Sequence, residues 1–357
     1  MRAAIVYDRV NKWGGAERVL LVLHEMFPRA PLYTSVYDPE NTPWAKVFPE
    51  INTSFLQKIP YARHNHESLA PLMPIAFESF NFDNYDLVIS LTSESAKGII
   101  TKPWTKHICY MLTPTRYLWS GYDEYFKRQS FKVMTKPVVN YLRKWDKVAA
   151  KRPDTVVSIS NTVQKRVKKY YNRDSKVIYP PNGLYKTVSK GIKKTRNKYY
   201  LAVGRLVPYK KFDLLVDTFN ETGQRLIIVG EGSESDKLVS MAKRNIKLAG
   251  SVSDRELCKY YNNAKALLFP QEEDFGLVAT EALSFGVPII AYKSGGALDI
   301  VQEGLTGVFI KRQTIDGIRE GLKKFERIKF DENRIIEESK RFSKSKFKKE
   351  FLKAIND

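Results

Sequence analysis

EEDFGLVATEALSFGVPIIAYKSGGALDIV, residues 272–301, is the stretch on which the reading of this chain turns. Glu273 sits in a polar loop segment, and Glu281, eight residues on, falls on the helical pattern that follows. A carboxylate accepts paired hydrogen bonds from hydroxyls, so two of them at this spacing suit a polyhydroxylated ligand such as a sugar or a ribose. Between them the turn Phe275-Gly276-Leu277 brings backbone N–H groups to the start of a helix, a position that favours phosphate. A short apolar run, VPIIAY, reads as the next strand, and Ser294, Gly295 and Gly296 form a second glycine-rich turn behind it. Surface glutamates, tight turns and a buried helix in ALSFGV would explain each element singly. The ordered set points to a ligand site at the edge of a sheet.

Working upstream, VGRLVPYKKFDLL (203–215) carries a strand that ends at Gly204, then Arg205, Lys210 and Lys211, then a helix. In a parallel sheet, cations placed just after a strand line the ligand crevice. Arg and Lys there can grip a diphosphate and stabilise its charge as it leaves. Five strand-like runs, YYLAVGRL, RLIIVGEG, NIKLAG, AKALLFP and VPIIAY, alternate with helical stretches across this half. Apolar runs bounded by turn signals are the mark of strands covered on both faces, and their alternation with helices implies a parallel, doubly wound sheet.

The first half repeats the architecture. Residues 3–8, 31–38, 51–57, 86–92, 107–112, 155–160 and 176–181 read as strands, with a loop RVNKWGGAER and a helix carrying VLLVLHEMF after the first. In WGGAE (13–17), Gly14 and Gly15 let backbone approach a ligand at a helix start. The dinucleotide fingerprint GxGxxG is absent, which counts against an NAD enzyme. NGLYKTVSKGIKKTRNK (182–198) lacks apolar periodicity and is rich in Lys, as a linker would be. The predicted organisation is an α/β chain of two Rossmann-like domains facing a central cleft: residues 1–182, a linker 183–198, and residues 199–340. A C-terminal helix over about 341–357 has Phe342, Phe347, Phe351 and Ile355 on one face, and its expected place is back on the N-terminal domain, with a membrane surface as the alternative.

With 357 residues, 43% of them hydrophobic, the chain can build two sizeable cores. Lys and Arg total 60 against 39 acids, net +21, which favours anionic partners. Basic residues over 126–147 would suit an anionic membrane surface or else a solvated helix face. The two cysteines, Cys109 and Cys258, have no partner at disulfide or zinc spacing, so a reducing compartment is expected. MRAAIVYDRV turns polar too soon for a signal peptide, and no run reaches the roughly 18 apolar residues of a spanning helix.

The residues quoted resemble the retaining glycosyltransferases of family 4, which have the GT-B fold. The resemblance rests on the E-x7-E element of Glu273 and Glu281 and on the G-R-L-V-P-x-K element of Gly204, Arg205 and Lys210, and it runs over about residues 199–310. In the first half GGAERVL, PLMPIAFE, YDLVIS, TPTRYLW, YLRKWDKVAAKRPD and VSISNTV are similar to the O-antigen-type mannosyltransferase branch. The resemblance implies a hexosyl transfer with retained anomeric configuration, GDP-mannose as donor, no cofactor and, with no DxD pair, no essential metal. It implies that Arg205 and Lys210 bind the donor diphosphate and Glu273 the transferred sugar. Glu281 would bind the ribose, and Val252 would sit beside the base. Phe275, Gly276, Leu277 and Val278, with Ser294, Gly295 and Gly296, would line the sugar and phosphates, and Gly14 and Gly15 would close from the other domain. The acceptor would be a glycan or a polyprenyl-diphosphate-linked glycan, in the cytoplasm or peripheral on the cytoplasmic face of a membrane. The chain departs from that branch at Leu112-Thr113-Pro114, where the branch reads His-Thr-Pro and its His contacts the donor sugar. Alternatives are a UDP- or other nucleotide-sugar donor, a sugar-binding homologue without catalysis, and, on charge alone, a nucleic-acid-binding protein, for which no recognised module is present.

Overall fold

The computed structural model describes residues 1–63, 66–126, 129–184 and 199–356, which fall into two compact units, residues 1–181 with 347–357, and residues 182–346. Nearly all of the expected linker, residues 185–198, lies outside the described residues.

The first unit is built on seven parallel strands: β1 (Ala3–Tyr7), β2 (Leu32–Thr34), β3 (Ile51–Thr53), β4 (Leu87–Thr92), β5 (Lys106–Met111), β6 (Thr155–Ser158) and β7 (Lys176–Val177), in the order β3-β2-β1-β4-β5-β6-β7. All six residues of β4 are buried, as both faces of a covered parallel sheet require. The order reverses between β1 and β4, so the loops at their carboxyl ends diverge and open a crevice. β2, β3 and β7 are much shorter than the sequence implies, and β6 ends at Ser158. After β3 the hydroxyl of Ser54 accepts from the Leu56 amide (3.2 Å) and turns the chain into a one-turn helix, Phe55–Lys58. After β7 come Pro180 and Pro181, which cannot donate to a ladder.

Asp8, just past β1, ties the carboxyl edge together. Its carboxylate accepts from the Thr92 hydroxyl (2.9 Å) and from the backbone amides of Ser93 (2.6 Å), Glu94 (3.0 Å), Ser95 (2.9 Å) and Ala96 (2.8 Å). Beside it Lys97, fully buried, pairs with Asp146 at 2.6 Å. Asp146 also accepts from Thr115 (3.0 Å), the Trp119 indole (2.6 Å) and the Tyr171 hydroxyl (2.7 Å). This network anchors the loop 113–119 and the helix Gln129–Ala149 to the sheet. The C-terminal helix Lys344–Asn356 buries Phe347 and Phe351 against Tyr110, at centroid distances of 5.7 and 6.0 Å. Phe342 lies before that helix, in a single turn Lys340–Phe342, and packs in the second unit.

The second unit has six parallel strands: β8 (Tyr199–Val203), β9 (Leu226–Val229), β10 (Ile246–Leu248), β11 (Ala264–Phe269), β12 (Ile289–Tyr292) and β13 (Gly307–Ile310), in the order β10-β9-β8-β11-β12-β13. β13 is the strand that the sequence reading lacks. It is only four residues long, follows a glycine-rich turn, and gains its definition from pairing with β12. The core gathers Tyr200, Phe212, Phe219, Ile228, Leu268 and Ile290 around the sheet. Strand order here reverses between β8 and β11. No described helix is long and apolar enough to cross a membrane.

His107, on β5, is fully buried with Nε2 2.8 Å from the Ser90 hydroxyl. Burial first, and then the positive charges of Arg152 and Arg173, push its pKa down to about 3. The folded state therefore holds it neutral, while the unfolded chain protonates it below its ordinary value of 6.5. Its contribution is complete above pH 6.5 and is lost as pH falls toward 3. Denaturant midpoints measured from neutral pH to about pH 5 should fall with acidification, with up to about 1.4 kcal/mol per pH unit due to this residue. The pH slope should flatten in His107→Gln; an unchanged slope would refute the assignment.

Candidate functional site

The crevice of the second unit is formed by the loops after β8 and β11. The loop after β8 is fixed by its backbone. Gly204 N–H donates to the Val229 carbonyl (3.0 Å), and Leu206 N–H to that of Glu231 (2.9 Å). It ends in the single turn Pro208–Lys210, from which the largely buried Lys210 reaches the Oε1 atom of Glu273 in an ion pair. Gln271, completely buried, donates from Nε2 to the same oxygen (3.0 Å). A cation from one loop and a carboxylate from the other are thus joined at the reversal point of the sheet.

The loop that carries Glu273 is held from behind by the turn after β12. The Ser294 hydroxyl donates to Glu272 Oε2 (2.7 Å), and the Gly296 amide to the Glu273 carbonyl (2.8 Å). A β-carbon at Gly295 would lie 2.3 Å from the Glu273 carbonyl oxygen, and one at Gly296 2.1 Å from that of Phe275. Glycine stands at both places because the loop backbone occupies the side-chain space; Gly295 also has φ +61°. Phe275 is buried, edge-on to Phe342 at 5.6 Å.

Gly276 opens the helix Leu277–Ser284 with φ +110°, and the ring of Phe269 excludes a β-carbon there. No side chain caps this start, so the first-turn amides at Leu277 and Val278 face a ligand or water. One turn further, Glu281 is buried and accepts from the Tyr261 hydroxyl (3.0 Å), whose ring stacks on Phe285 at 5.4 Å. Gln271 and Tyr261 are the site residues that sequence reasoning missed. Gln271 was signalled only by preceding the paired glutamates, and Tyr261 comes from another helix, Asp254–Asn263, with no spacing to announce it.

The remaining candidates are dispersed. Arg205 is exposed, and among the described residues no carboxylate pairs with it. Lys211, half-buried, takes a left-handed conformation (φ +58°) at the start of the helix Phe212–Thr222. Val252 is half-buried in the loop after β10, where the neighbouring Ser251 amide donates to Glu231 (3.0 Å). Gly14 and Gly15 belong to the first unit, where Gly14 caps the helix Gly15–Met26 beside the buried Glu17. Glu17 accepts from the Tyr7 hydroxyl (2.6 Å), and burial, then Glu17, raise that phenol well above its ordinary pKa. Leu112, just past β5, is half-buried with its amide donated to the Thr92 carbonyl (2.8 Å), and its side chain has no hydrogen-bonding group. His107 is sealed inside the sheet and does not replace it. Cys109 and Cys258 are both buried and unbonded to each other, and burial pushes the Cys109 thiol up to about 12.

The fold is shared with solved GT-B glycosyltransferases. A lipopolysaccharide outer core galactosyltransferase has a TM-score of 0.66 and 19% identity over 100% of this chain and 99% of its own. HepE of Anabaena, solved in complex with UDP and glucose, has a TM-score of 0.69 and 20% identity over all of both chains. Residues 186–343 match the model of the family described as glycosyl transferases group 1. An uncharacterized glycosyltransferase of Methanocaldococcus jannaschii is 28% identical over 56% of this chain and 57% of its own length, so the chain matches little more than half of it. An uncharacterized glycosyltransferase of Haemophilus influenzae is 24% identical over 88% of this chain and 87% of its own. The O-antigen chain mannosyltransferase of Salmonella typhimurium is 30% identical over 42% of this chain and 45% of its own.

The Lys210–Glu273 pair yields a stability test. Removing one partner leaves the other half-desolvated and unpaired. Lys210→Met and Glu273→Gln should each lower stability, while the double variant should lose less than their sum, with a coupling of about 1–2 kcal/mol in urea denaturation. Strict additivity would show that the pair contributes nothing.

Proposed function

We propose that the chain transfers a hexosyl group from a nucleotide sugar to an acceptor hydroxyl with retention at the anomeric carbon. The observation that carries this reading is the junction of Lys210 with Glu273, beside an uncapped helix start, at the carboxyl edge of β8 and β11. In this reading Arg205 and Lys210 hold the donor diphosphate and balance its charge as the glycosidic bond breaks, without a metal. The amides at Gly276, Leu277 and Val278 hold phosphate oxygens and the near edge of the sugar, and Glu273 orients the sugar hydroxyls. Glu281, kept in place by Tyr261, takes the ribose hydroxyls, and Val252 flanks the base. No protein nucleophile is required when the departing diphosphate and the incoming hydroxyl share one face of a short-lived oxocarbenium-like pair. The protein then acts by positioning and electrostatics.

GDP-mannose is the donor we favour, on the similarity to a named mannosyltransferase. UDP-glucose or another nucleotide sugar is the second reading, favoured by Leu112 in place of a polar contact and by the ligands of HepE. A lipid-linked glycan at the cytoplasmic face of a membrane is the acceptor class, in polysaccharide biosynthesis.

Thermal shift against GDP-, UDP-, ADP- and dTDP-sugars tests the donor. At a hundredfold excess over Kd the matching ligand should stabilise by about 2.7 kcal/mol, and no shift with any of them would overturn the reading. Because Arg205 is exposed and unpaired among the described residues, Arg205→Ala should keep the melting temperature of the parent. Its turnover should nevertheless fall by about 10²–10³; unchanged turnover would remove Arg205 from the site.

A further inference from the structure

The proposed reaction leaves Gln271 without a task, yet its side chain is completely buried beside the Lys210–Glu273 pair. The backbone before it is fixed, because the Pro270 carbonyl accepts from Gln313 Nε2 (2.8 Å) on the loop after β13. A carboxylate can only accept, so the amide must turn Nε2 toward Glu273 and Oε1 away from it. Nε2 donates to Glu273 Oε1 at 3.0 Å, while Oε1 of Gln271 is buried with no donor among the described residues. A buried acceptor left unpaired destabilises the folded chain. A methionine or leucine would fill the same volume without that cost, so folding alone gives no reason for an amide here. Residues that break a local rule of stability in this way mark functional positions.

The place of the bond shows what the amide does. The last torsion of a glutamate is broad and roughly two-fold, so nothing intrinsic fixes the plane of the Glu273 carboxylate. Lys210 and Gln271 both meet its Oε1. On the proposed function Lys210 turns to the departing diphosphate, and Gln271 is the donor that stays. An amide carries no charge for a phosphate to draw away. We propose that Gln271 is a positioning residue: its Nε2 bond holds the carboxylate plane of Glu273 while the sugar is bound, and Oε2 is left to accept from a hydroxyl of that sugar. It acts through Glu273 and does not touch the reacting atoms. The inference deepens the transferase reading and rests on it for its purpose, while the bond itself is tested without substrate.

Urea unfolding of the full chain, with no nucleotide present, tests the bond. Gln271→Met alone should leave the midpoint at or above that of the parent, since it removes the unpaired acceptor while Lys210 still serves Glu273. In Lys210→Met the same substitution should lower the midpoint, because it removes the last donor from a largely enclosed carboxylate. Equal effects in the two backgrounds overturn the proposal, whether or not the chain is a transferase. Release of nucleoside diphosphate from GDP-mannose, UDP-glucose, ADP-glucose and dTDP-glucose, with water as acceptor, tests the role. With the donor that the parent turns over, Gln271→Met should lower kcat about 10- to 100-fold, with KM within about twofold of the parent's. In Glu273→Gln it should lower kcat no further, since no carboxylate is left to position, whereas a merely structural residue would lower both backgrounds alike. An unchanged kcat, or an equal loss in the Glu273→Gln background, overturns the proposal. A parent that neither binds nor hydrolyses any of the four refutes the transferase reading, and the unfolding comparison then decides on Gln271 by itself.

Discussion

The candidate site depends on a backbone contact between two loops: the amide of Gly296 on the carbonyl of Glu273. A carboxylate on a free loop would sample many positions, and the entropy of fixing it would fall on ligand binding. Here the turn after β12 lies flat against the loop after β11, closely enough that neither Gly295 nor Gly296 has room for a side chain. Ser294 adds a second bond to Glu272, and Phe275 is sunk against Phe342. Glu273 is then aimed from a braced loop, and Lys210, braced in turn by the β9 loop, meets it.

This arrangement explains which parts of the molecule could be read in advance. Both sheets were legible because parallel strands covered on two faces are buried throughout and mostly apolar, as β4 is and as the core strands of the second unit are. What escaped was set by pairing or by turn chemistry. β13 is four residues whose strand character comes from β12, and β3 is cut short by the Ser54 hydroxyl. The two glutamates and the two glycine turns were visible as residue types in sequence. Their mutual bracing was not, because Gly296 meets Glu273 through backbone atoms, which every residue carries alike. Tyr261 illustrates the same limit: its bond to Glu281 joins two helices whose separation in sequence says nothing about their meeting.

The two histidine questions have separate physical answers. Leu112 stands at the carboxyl end of β5, with its backbone bonded to β4 and a side chain that can offer only apolar contact. His107 lies deeper on the same strand, where its ring is enclosed in the sheet with Nε2 against Ser90. A polar contact to a sugar at position 112 would have to be supplied by another residue or forgone.

The excess of positive charge divides the same way. In the second unit, Lys210 is nearly buried and neutralised by Glu273, whereas Arg205 is exposed with no carboxylate paired to it among the described residues. Of the two cations, the paired one orders the site and the exposed one contributes most to its field. A diphosphate entering there would gain a full charge partner in Arg205 but would have to share Lys210 with Glu273. As the leaving group gathers charge, Lys210 can shift its bond from the carboxylate toward the phosphate. On the proposed function, Glu273 would then turn to the sugar hydroxyls, with Gln271 still bonded to its Oε1. On the same reading, the Lys210–Glu273 pair is the one that the substrate would exchange, group for group, for its own phosphates and hydroxyls.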